Sequence, residues 1–194
     1  MLQQIAVLLM MSCLLPQTAA VTKDESIAPY NDADAYEVYA AIVPSQWQTR
    51  VTKAKTLVIL SPTKSYKMCL VPEKESEEII GPAISDYVKL NEKAWLLQQQ
   101  NFKLPTPPKL INSDELKSLF ERGKWASFYR QYEDSDGLIE LSAVGFNSDK
   151  TVAVVYMGHS CGALCGGGGF HVLQKTDGKW APSEWQGESC QWAS

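Results

Sequence analysis

The chain has 194 residues, enough for one domain core, and 45% of them are hydrophobic. Its formal net charge of −4 gives no electrostatic footprint for nucleic acid and weakens attraction to an anionic membrane surface.

Residues 5–15, IAVLLMMSCLL, form an uncharged apolar run too short to span a bilayer. Pro16 breaks any helix, and TAA then places small residues for a cut after Ala20. Residues 1–20 therefore read as a secretory signal peptide, 21–34 as a loose polar leader and 35–194 as a single domain. LMMSC offers an alternative, lipid anchoring through Cys13. No second run approaches membrane-spanning length, so the mature chain is expected to be secreted or periplasmic, with no transmembrane segment.

The first helix is expected in DADAYEVYAAIVP, with Tyr36, Tyr39, Ala40 and Val43 on one face. Asp32 or Asp34 would cap it and Pro44 would end it. KTLVILS is rich in β-branched residues and reads as a strand bounded by Pro62. PEKESEE reads as a solvated approach to the next helix, GPAISDYVKLNEKAWLLQQQ, in which Pro82 suits the first position. Ile80, Ile84, Tyr87, Val88 and Trp95 would form its buried stripe. LPTPPKLI is an extended, proline-rich connection. Asn112 or Ser113 caps DELKSLFERG, Gly123 closes it, and KWASFYRQY follows with Trp125, Phe128, Tyr129 and Tyr132 at helical spacing.

From Gly137 the period shortens to that of strands: LIELSAVGFN, TVAVVYMGHS, GFHVLQK and KWAPSEWQ. NSDK and TDGK join neighbours as hairpins. VAVVYM is apolar at every position and should be covered on both faces, while Pro182 marks the last strand as an edge. The expected fold is α+β, with N-terminal helices packed on one face of a C-terminal antiparallel meander.

Both histidines of the chain lie in HSCGALCGGGGFH. His159, Cys161, Cys165 and His171 could hold zinc or copper. Their C-x3-C pair with a histidine is similar in motif to the copper-chaperone proteins of the thioredoxin fold. A redox or nucleophilic thiol has no supporting signature here, and GGGG lacks the lysine and the following helix of a phosphate loop. Export instead favours oxidation. Cys161 and Cys165 can close a tiny loop, leaving Cys69 and Cys190 for a second bridge, although crossed pairings remain open. Asp134, Asp136 and Glu140 could offer paired carboxylates, but DSDG reads more simply as a turn.

The run VGFNSDKTVAVVY…CGALCGGGGFHVLQKTDGKW resembles the C-terminal part of exported bacterial proteins of unassigned function. These share a C-G-x-L-C-G-x-G loop and a D-G-K-W hairpin; the resemblance implies export from a bacterium. The meander is also similar to the nuclear transport factor 2-like superfamily, which would imply a cone-shaped α+β domain with a pocket between sheet and helices. Without a G-x-S-x-G or H-E-x-x-H motif, the expected function is non-catalytic binding of a small ligand or protein by a disulfide-stapled domain. The alternatives are a zinc- or copper-binding protein using residues 159–171, and a hydrolase with its pocket between helices and sheet.

Overall fold

A computed structural model of the protein describes residues 27–48, 56–184 and 187–194. The expected cleavage site at Ala20 and the lipidation alternative at Cys13 lie outside these residues.

Helix α1 (Ala33–Gln48) begins where the Asp32 carboxylate accepts the backbone N–H of Asp34 at 3.0 Å. It runs through Pro44 instead of ending there. A helix-interior proline forfeits one hydrogen bond. Ile42 and Val43, both buried in the core beside it, offset that loss. Part of the expected leader is also fixed. Tyr30 is buried and its hydroxyl accepts the Val144 N–H at 2.9 Å, while Leu96 bonds both Ala28 and Tyr30 through the backbone.

Strands β1 (Thr56–Leu60) and β2 (Val71–Pro72) precede helix α2 (Lys74–Leu90). The helix starts earlier than the sequence suggested: most of PEKESEE is its first turns, and Pro82 lies inside it. Glu75 and Glu77 suit that N-terminus because the helix dipole is positive there. Its end is a tertiary stop. The Asn91 amide donates to the carbonyls of Tyr87 at 2.9 Å and Ala143 at 3.1 Å, and its oxygen accepts the Ala143 N–H. Trp95 therefore leaves the helix, donating its indole N–H to the Leu90 carbonyl. Of the expected stripe, Ile80 and Tyr87 are buried, whereas Val88 is exposed.

A short 3₁₀ turn (Gln99–Asn101) and strand β3 (Lys109–Ile111) lead into α3 (Ser113–Gln131). Asn112 caps α3 by accepting the Glu115 N–H at 2.8 Å. The helix is broken at Gly123 and Lys124, which matches the two expected segments. Strands β4 (Ser135–Leu141), β5 (Gly145–Phe146), β6 (Val152–Gly162), β7 (Cys165–Thr176), β8 (Lys179–Pro182), β9 (Gly187–Glu188) and β10 (Gln191–Ala193) follow. Asp177 and Gly178 take positive φ of 51° and 74° in the expected β7–β8 hairpin.

The protein is α+β, and its main sheet is mixed. The order is β10-β7-β6-β4-β1-β3, with β5 added on β6 and β8 on β7; β2 and β9 form a separate pair. The antiparallel meander is present in β4, β6, β7 and β8, but β1 runs parallel to both β3 and β4. Parallel strands need a crossover connection, and α3 carries the chain from β3 past β1 to β4 on its other side.

The helices occupy both faces of the sheet, a correction to the expected one-sided packing. On one face, α1 covers Leu57, Ile59, Ile139, Leu141, Val155 and Leu173. On the other, α2 covers Val152, Val154, Phe170 and Val172, and α3 covers Val58, Leu60 and Leu138. The physical reason is the burial pattern of β1 and β6, which are apolar on both faces and exclude water only when both are covered. At the start of α1, Lys150 and Lys175 both bond Asp34 at 3.0 Å, and this pair of ammonium donors holds the Asp34 carboxyl below its usual range.

Candidate functional site

The loop HSCGALCGGGGFH is the far end of one long hairpin. Its ladder runs from Val152↔Gln174 to Gly162↔Cys165, so both arms extend further than the sequence suggested. Cys161 and Cys165 are bonded across the tip, with Cα atoms 5.0 Å apart. Cys69 and Cys190 are bonded with Cα atoms 5.8 Å apart, tying the segment between β1 and β2 to the start of β10.

The two histidines share a face of the hairpin but do not meet. His159 lies opposite Gly167 and His171 opposite Val155, four residues along the ladder. At 3.3–3.4 Å per residue that is roughly 13 Å. His159 Nε2 contacts the Asp136 backbone oxygen and lies 3.7 Å from the Asp136 carboxylate. Burial lowers the pKa of His171. With both thiols in a disulfide, the four candidate ligands do not assemble, and among the described residues no group of three or more His, Cys, Asp or Glu could hold a metal ion.

The opposite face of the same hairpin explains the glycines. One rung of the sheet reads Glu140, Gly158, Gly168, Trp192, across β4, β6, β7 and β10. Strand side chains alternate between faces, so all four positions share the face that α2 and α3 cover elsewhere. The two central glycines leave room for rings from either side. A Cβ at Gly168 would fall 2.4 Å from the Tyr156 hydroxyl and 2.7 Å from the Trp192 indole nitrogen. A Cβ at Gly166 would meet the six-membered ring of Trp192 at 3.3 Å. The indole thus rests across Gly166 and Gly168, and a glycine inside a strand here marks a close approach.

Hydrogen bonds lock the cluster. The Trp192 indole N–H donates to the Tyr156 hydroxyl at 2.5 Å. Tyr66 stacks on Tyr156 with ring centroids 3.6 Å apart, and its hydroxyl donates to Glu140 Oε2 at 2.8 Å. Burial raises the Tyr66 pKa, and the adjacent Glu140 charge raises it further, so the hydroxyl stays a donor at neutral pH. Lys64 Nζ stands 4.0 Å from the other carboxylate oxygen of Glu140. Tyr129, from α3, closes the tip side by donating to the Cys161 carbonyl at 2.8 Å.

Each disulfide is adjacent to this rung. Cys190 lies two residues before Trp192, and Cys69 three residues after Tyr66, so one bridge fastens both rings to the sheet. The Cys161–Cys165 bridge fastens the ends of the two glycine-bearing strands. Tyr156 is buried, while Trp192 remains 40% exposed. The arrangement can present an apolar ring at the β10 end of the rung and a carboxylate with an ammonium group at its β4 end.

Sequence reasoning located the disulfides but not Tyr66, Tyr156 or Trp192. The available signal was the alternation of Gly166 and Gly168 on one face of a strand, which requires something large to lie over them. No protein-family model, curated protein or solved structure matches the chain.

Proposed function

We propose that the protein is an exported, non-catalytic binding domain, and that its ligand or partner contacts the rung of Glu140 and Trp192 together with Tyr66. The carrying observation is that Trp192 is 40% exposed although glycines and hydrogen bonds fix it in place. An aromatic side chain that only filled a core would be covered; one held rigid yet half open is pre-organised for contact. Export is supported by the two disulfides, and no helix among the described residues is long and apolar enough to cross a membrane.

The test is amide and indole chemical-shift mapping of the oxidised, ¹⁵N-labelled protein against a library of small polar and aromatic fragments. The expected result is a set of hits whose shifts cluster on Gly158, Gly168, Trp192 and the Trp192 indole N–H. Hits that cluster elsewhere, or no hits, would contradict the assignment.

A further inference from the structure

We infer that the ligand of this rung is a saccharide; the inference rests on the binding-site reading above. Three features of the cluster select the chemistry. First, Trp192 offers its ring face and not its N–H, because the indole nitrogen already donates to Tyr156 at 2.5 Å. An open ring face takes a flat apolar surface, and the C–H face of a pyranose is one.

Second, the polar groups at the β4 end of the same rung form a matched pair. Glu140 Oε2 is occupied by Tyr66, leaving Oε1 as an acceptor 4.0 Å from the Lys64 ammonium, which is a donor. A hydroxyl both donates and accepts, so adjacent hydroxyls on one ring can give to Glu140 and take from Lys64 at once. The Glu140 side chain is 19% exposed and that of Lys64 48%, so each remains reachable from solvent.

Third, the same pair disfavours the main competitor. An aromatic ring beside a carboxylate also suits a quaternary ammonium ligand. Here the Lys64 ammonium, 4.0 Å from Glu140, offsets part of its charge and repels a second cation. A planar anion meets the reverse obstacle at Glu140. A neutral polyol with one apolar face satisfies every group present.

The test uses the oxidised protein and the same shift mapping, titrated with tetrasaccharides of glucose, of N-acetylglucosamine and of mannose, with choline as the cationic control. At least one tetrasaccharide is expected to shift the Gly158, Gly168 and Trp192 signals, with a Kd on the order of 1 mM. Trp192→Ala should weaken that binding about tenfold or more, while Trp192→Phe, which keeps a ring face, should retain most of it. Glu140→Gln still accepts from Tyr66 and serves as the folded control; it should weaken binding several-fold. Binding of choline at the rung with no tetrasaccharide bound would overturn the saccharide assignment. Fragments that map to the rung while no tetrasaccharide does would also overturn it and leave the site standing. If no fragment maps there, the site reading and this one fail together.

Discussion

Replacing Cys69 and Cys190 together by serine is expected to cost the protein about 5 kcal/mol of stability, whereas replacing Cys161 and Cys165 should cost about 2 kcal/mol. The difference follows from loop length. The first bridge spans a sequence separation of 121 and the second only 4, and a longer closed loop removes more freedom from the unfolded chain. For a domain of this size the first loss corresponds to a fall in Tm of roughly 10–20 °C. The loss should also be local in character. β10 has three ladder positions on β7, and its Trp192 is held by one hydrogen bond and the glycine seat. Without the bridge, the amides of residues 191–193 should exchange with solvent before the rest of the sheet. Thermal unfolding with hydrogen exchange checks both statements. Equal losses for the two pairs would contradict the account.

The second large effect is expected at Gly168. Gly168→Ala should destabilise the protein by about 2–3 kcal/mol, at the upper end for a single added methyl. The new carbon would fall 2.4 Å from the Tyr156 hydroxyl, 2.7 Å from the Trp192 indole nitrogen and 3.0 Å from the Cα of Gly158. Two ring positions and a neighbouring strand would have to give way together, and the Trp192–Tyr156 hydrogen bond would break. Gly81→Ala is the matched comparison. Gly81 lies inside α2, and beyond its chain neighbours a Cβ there meets nothing within 4 Å. Alanine is the better helix former, but the Pro82 ring crowds a Cβ on the residue before it, so the two effects offset and the change should stay within about 1 kcal/mol of zero. Chemical denaturation of the two variants reads a large loss at Gly168 and a small change at Gly81 if the glycine seat is real. A neutral Gly168→Ala would show that Trp192 does not rest there.

The fold was legible where a local pattern and a tertiary need agree. The unbroken apolar run of β6 announced a strand covered on both faces, and the Asp177-Gly178 turn announced its hairpin. What the pattern could not convey was decided at a distance. Asn91 ends α2 through a bond to Ala143, and no helix propensity encodes that. The sequence marks Pro44 and Pro82 as helix boundaries, yet both lie within helices, because packing outweighs one missing hydrogen bond. β3 is three residues long and follows two prolines, so only its pairing with β1 makes it a strand. The one-sided layer model failed for a related reason: residues on β1 that look like one apolar block divide between α1 and α3.

The site was half legible. Cysteine parity, with export expected from the leader, pointed to two bridges with crossed pairings still open; the structure pairs Cys69 with Cys190 and Cys161 with Cys165. The histidines drew attention because they are rare, but the strand register sets them four residues apart. In the sequence the glycines read as a connection beside the small disulfide loop, not as a phosphate cradle. They are strand residues whose missing side chains make room for Tyr156 and Trp192. That role was hidden because its partners stand far off in sequence, on β6 and β10, and the rung that aligns them with Glu140 exists only once the sheet has formed.

The most direct test is a nuclear Overhauser measurement on the oxidised protein, between the Trp192 ring protons and the α-protons of Gly166 and Gly168. The account predicts strong cross-peaks and upfield-shifted glycine α-protons, because the indole face lies over them. Glycine α-protons at ordinary shifts, with no cross-peak to Trp192, would contradict it.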